Sequence, residues 1–281
     1  MNSNLTMNNN DNPIKFTDHE TNNININNEN KNNKFKRFII DTSSAIMASA
    51  CVSPFVSIID KAIFQNGSGA TTLGNSLKNS IKSIISSPIK FSKSPEFNWV
   101  FFLHSMTYSS ANIMDTFSKA NKLDTDIPKF FVVSCVNIVC CMLKDRAFVR
   151  LFGTKTPGKV PKLTLTCFGI RDSLTVLCSF ILPKKLSLYM QLKGFRKKYS
   201  DTFAQLICPC FIQIFSTPVH LLGVDVYNNS DNNFSKRLEF IKREYFKTTC
   251  ARMSRIFPAF GIGGICNRTY KSYFIDKFEK N

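Results

Sequence analysis

Two arginines near the C-terminal end hold the strongest chemical signal in the chain. They lie in Thr248–Cys266, a run of mostly apolar and small residues: Arg252 and Arg255 stand three apart, Pro258 follows three further on, and Gly261, Gly263 and Gly264 close the run. Residues three apart share one face of a helix. A proline inside a helix removes a backbone hydrogen bond and bends the axis, and glycines admit a second helix at close range. A cation in such a helix costs roughly 2.5–3.5 kcal/mol in lipid on the insertion scale unless it meets water or a partner. The stretch therefore reads as a bent membrane helix with a wet, basic inner face. The competing reading is a soluble core helix whose arginines extend their heads to water. A second charged pair, Arg171-Asp172, interrupts another apolar run.

No catalytic pattern accompanies these charges. There is no phosphate loop, no Gly-x-Ser-x-Gly and no His-Glu-x-x-His. Gly261-x-Gly263-Gly264 lies inside an apolar run and is better explained by packing than by a nucleotide turn. The chain is not expected to be an enzyme or to carry a cofactor. Most of the ten cysteines lie in apolar runs, as reduced buried thiols do. Cys208-Pro209-Cys210 has the wrong spacing for a zinc knuckle, so no metal is expected.

The elements that must position these residues are long and apolar. Residues 1–33 form an asparagine-rich tract, expected to be a disordered tail because it has too little apolar surface to offset ordering. Residues 34–281 hold six apolar stretches of near-spanning length: 38–64, 99–117, 130–151, 163–183, 203–226 and 248–266. Several carry charges at mid-depth, which suits helices around a watery cavity. The runs are too long for strands, and period-two alternation is absent. Between the first two stretches, Leu77, Ile81, Ile84 and Ile85 have the spacing of a short amphipathic helix at a surface. The fold class expected is an all-α membrane protein with six transmembrane helices, as three helix pairs around a central cavity.

The formal charge of +18 directs attention to anionic partners. The basic connector that includes Lys184, Lys185, Lys193, Arg196 and Lys197 suits anionic lipid headgroups. No recognition motif or aromatic platform supports nucleic acid.

The sixth stretch resembles the closing helix of the mitochondrial carrier family, in which Arg, two residues, Arg, two residues and Pro precede a run of small residues. Arg252, Arg255 and Pro258 match that pattern, and Arg171-Asp172 stands where many members carry a charged pair. The odd-numbered stretches end in proline followed by charge: Pro54 before Asp60-Lys61, and Pro218 before Asp225, with Leu143 in the proline's place before Asp145 and Arg150. The resemblance covers roughly residues 38–275, with pseudo-repeats at 38–117, 130–183 and 203–275. The family's acidic position two after the proline is here Val56, Asp145 or His220, so its signature is eroded.

The resemblance implies transport of a small anionic metabolite across the mitochondrial inner membrane, with the outer membrane as the alternative location, by a monomer that alternates its access. It implies substrate contacts at His104, Arg171, Asp172, Arg252 and Arg255, and an ion-pair gate at Asp60, Lys61, Asp145, Arg150 and Asp225. The eroded signature supports a second expectation, a carrier-like scaffold or receptor that does not transport.

Overall fold

The structure, a computed structural model, describes residues 15–121, 126–154 and 159–279. Helices account for the architecture, and no strand occurs among the described residues. Helix α1 runs Lys15–Gly67, α2 Leu73–Ser86, α3 Pro88–Ser92, α4 Pro95–Asn121, α5 Asp126–Phe152, α6 Lys162–Leu192, α7 Lys197–Asn228 and α8 Phe234–Ser254; a π-helical segment, Phe257–Ile262, joins α8 to α9, Gly263–Glu279. Helix α1 starts at Lys15, inside the tract read as disordered, and residues 1–14 lie outside the described residues. Extending an existing helix adds one hydrogen bond for each residue fixed, so a stable apolar segment can carry a polar extension.

The long helices pack in a ring. Helix α1 touches α4, α4 touches α5, and the contacts continue through α6, α7 and α8 until α9 returns to α1. Small side chains set the spacing on α1: Ala45, Ala48, Ser44, Ser49 and Ser53 are all buried, and each of the three serines returns its hydroxyl to the carbonyl four residues back. Gly263 has the same role where α9 meets this face. A Cβ there would stand 2.0 Å from Tyr108 Oη and 2.8 Å from Val52. Gly261 and Gly264, by contrast, face open space.

The polarity of the body is inverted relative to a water-soluble bundle. Asp60, Lys144, Asp145, Arg171 and Arg252 are each no more than 2% exposed. Phe203, Phe211 and Phe215, spaced by whole turns on α7, are each at least 50% exposed. On α2, Ile81 and Ile85 face outward while Ser76 and Ser80 are buried against the protein. Among the described residues, three helical stretches are long and apolar enough to cross a membrane by length and composition: Phe35–Gly67, Ile127–Phe152 and Tyr199–Asn228. The second, fourth and sixth apolar stretches of the sequence are helical too, within α4, within α6 and across the π segment.

Candidate functional site

A cavity of about 330 Å3 lies within the ring, with walls from α1, α4, α5, α6, α7 and the α8–π junction. Asp60, Lys144, Asp172, Gln213 and Arg255 line one end, and Thr107, Ser134, Asn137, Thr175 and Ser179 are among the residues of the wall.

The charged end is a continuous chain of ion pairs. Arg255 donates to Asp60 Oδ1 at 2.7 Å, and Lys144 donates to the other oxygen of Asp60. Lys144 also lies 2.9 Å from Asp145 Oδ1, while Arg171 holds Asp145 Oδ2. Arg171 then grips Asp172 Oδ1 through Nε at 3.0 Å and Nη2 at 2.6 Å. Four rods, α1, α5, α6 and α8, are tied by this one network. From α7, His220 Nδ1 lies 2.9 Å from Arg171 Nη1. Arginine has no acceptor, so the ring nitrogen must accept, which leaves the His220 proton on Nε2.

Arg252 stands behind this layer with neutral partners. Its Nη2 donates to Gln213 Oε1 at 2.7 Å and to Ser216 Oγ at 3.1 Å, and its Nε is buried without a partner. Together the cluster holds three carboxylates, Asp60, Asp145 and Asp172, against four cations, Lys144, Arg171, Arg252 and Arg255. One positive charge is left over.

An aromatic layer lies one helical turn from the network, on the side away from the cavity. Phe64 follows Asp60 on α1, Phe148 follows Lys144 on α5, and Phe168 precedes Arg171 on the antiparallel α6. All three are buried, and the Phe64 ring lies 5.5 Å from Phe148 and 6.0 Å from Phe168, edge to face. Lys144 and Arg171 sit over Phe148 and Phe168 at 5.1 and 5.3 Å, so the charged floor rests directly on this plug.

The residues singled out in the sequence divide into two groups. Asp60, Asp145, Arg171, Asp172 and Arg255 meet in the network. His104 lines the cavity, with Nδ1 2.9 Å from the carbonyl of Val100 on its own helix. Arg252 lies outside the cavity lining, behind Gln213. The other three expected gate residues do not join. Lys61 pairs with Glu96 at the start of α4 at 2.7 Å, Arg150 is exposed, and Asp225 pairs with Arg237 at 2.7 Å across the α7–α8 turn. Sequence reading missed Lys144, Gln213 and the involvement of His220. Lys144 had a signal: it is a cation inside an apolar helix with an acid beside it.

No group of three or more candidate metal ligands occurs among the described residues, and all ten cysteines are free thiols. A family model described as a probable citrulline exporter matches residues 44–275. The chain belongs to this probable citrulline exporter family. No curated protein and no solved structure matches it.

Membership of the probable citrulline exporter family overturns the resemblance to mitochondrial carriers. The Arg-x-x-Arg-x-x-Pro pattern describes a geometry, an arginine-bearing face that ends at a helix break, and that geometry is not confined to one family. The missing acids at Val56 and His220 had already departed from the carrier signature. The exporter family and the apolar helices together mark a membrane transport protein. The mitochondrial inner membrane and the threefold repeat rested on the carrier resemblance alone.

Proposed function

We propose that this protein exports a small zwitterionic amino acid, with citrulline as the substrate that the family description names. All six long rods cross the membrane in this reading, with the apolar faces of α4, α6 and α8–α9 completing the ring. The observation that carries it is the cavity itself: about 330 Å3, within the range of small-molecule sites and floored by charges of both signs. A zwitterion needs an anion and a cation at one end. Asp172 and Arg255 both line the cavity and supply them. A solute that is simply anionic, as first expected, would use only half of this floor.

Movement requires that the closed end open. The closed end here is the ion-pair chain on its plug of Phe64, Phe148 and Phe168. Ion pairs between rods can break and reform as the rods tilt, while packed rings give two discrete arrangements rather than a continuous range. A bound zwitterion offers Arg255 a new anionic partner, which weakens its hold on Asp60 of α1. Opening is thereby coupled to loading.

The test is counterflow of labelled L-citrulline into liposomes that contain the purified full-length chain. Uptake above protein-free liposomes is expected, with loss of about tenfold or more for Arg255→Ala and for Asp172→Asn, each of which removes a charge-assisted bond. Absence of uptake by a correctly folded wild-type protein would refute the proposal.

A further inference from the structure

We infer that the cavity selects amino acids with an uncharged, hydrogen-bonding side chain and rejects those whose side chain is cationic. This rests on the export reading above and specifies its substrate class. Two separate observations carry it.

The first is the balance of charge at the floor. Asp60 gives one oxygen to Arg255 and the other to Lys144, and Asp145 gives one to Lys144 and the other to Arg171. Asp145 Oδ1 has Lys144 beside it as an ion-pair partner without a hydrogen bond, whereas Asp172 Oδ2 has neither, and Asp172 is 5% exposed and lines the cavity. One free carboxylate oxygen suits one ammonium group, and every amino acid brings one at its α-carbon. Arg255 bonds Asp60 through Nη1 and has further N–H donors for the α-carboxylate. With both ends of the zwitterion satisfied, the floor holds no acid for a second cation, and the cluster as a whole keeps its surplus positive charge.

The second is the chemistry of the wall above. Thr107, Asn137, Thr175, Ser134 and Ser179 line it, and no carboxylate joins them among the described lining residues. Asn137 Nδ2 donates to Thr107 Oγ1 at 3.2 Å, so α4 and α5 present adjoining hydroxyl and amide groups. A ureido or carboxamide group donates and accepts, and such a wall answers both needs. A guanidinium or an alkylammonium would lose its water and find no anion in return, close to a floor that already repels it.

The purified chain in phosphatidylcholine liposomes, preloaded with L-citrulline, decides the matter with four labelled probes. L-Citrulline and L-glutamine should enter, and L-ornithine and L-arginine should enter about tenfold more slowly or less. Asn137→Asp places an acid in the wall and should raise ornithine entry relative to citrulline about tenfold. Thr175→Asp serves the same purpose on α6 should the first variant fail to fold, as judged by gel filtration and melting temperature. Wild-type protein that carries ornithine as fast as citrulline overturns the selectivity and leaves export standing. Wild-type protein that carries none of the four overturns export itself. Folded acidic variants that still carry citrulline and still exclude ornithine overturn the role of the wall.

Discussion

A buried carboxylate that faces two different cations cannot be neutralised without taking a partner from each. Asp60 is in that position between Arg255 and Lys144. Breaking a buried ion pair by removal of one partner costs about 3–5 kcal/mol, because the other charge stays behind unpaired. Asp60→Asn should therefore lower the melting temperature in detergent sharply and abolish citrulline counterflow. Arg252→Gln should cost less, since its partners Gln213 and Ser216 are neutral and no carboxylate loses a cation. Equal losses for the two variants would contradict the network as described. The participants were only partly legible in the sequence. Charges inside apolar runs announce that something shelters them, which is how Arg171, Asp172 and Arg255 stood out. The angular position of each charge was harder to read. Consecutive residues on a helix point about 100° apart, so Asp60 can face the interior while Lys61 turns to Glu96. Five residues from Asp145, Arg150 lies about 140° round the axis and is exposed.

Helices were the legible elements, because twenty apolar residues without alternation leave little else to form. Their joints were less so. Pro258 was expected to bend the sixth stretch, and the structure places it in a π segment, whose wider turn leaves carbonyls for other donors. Tyr108 Oη takes one of them, donating to the carbonyl of Ala259 at 2.7 Å, and this bond fixes α4 against the break. The middle of α8 is fixed to the end of α1 by a different device. Asn66 Nδ2 donates to Glu244 Oε2 at 2.8 Å. Burial raises the Glu244 carboxyl, but the bonds from Asn66 and Arg243 outweigh it and hold the group below the ordinary glutamate range. The stability from this joint is therefore complete above the unfolded glutamate value and falls away as pH drops through the lower folded one. In melting experiments from pH 7 down to pH 3, the wild type should lose stability over that acidic interval, and Asn66→Ala should lose less over the same interval. Identical pH profiles would remove Glu244 from the α1–α8 joint.

At the scale of the whole molecule, the ion-pair network lies inside and the phenylalanine row of α7 outside, and one ring of helices connects the two. That arrangement was readable from the sequence as a wet interior within apolar rods. The family was not, because a spacing of two arginines and a proline reports the local geometry of one helix and little about descent. The central claim is that the polar wall lines a solvent-reached cavity whose occupant is the exported amino acid, while α7 meets lipid. Its most direct measurement is labelling by a membrane-impermeant maleimide in sealed proteoliposomes, with the native cysteines replaced by serine and single cysteines introduced as Ser134→Cys, Thr175→Cys, Phe211→Cys and Phe215→Cys. The account predicts that the Ser134 and Thr175 variants react and that L-citrulline protects them, while the Phe211 and Phe215 variants stay unlabelled. Labelling of the two phenylalanine positions, with silence at Ser134 and Thr175, would contradict it.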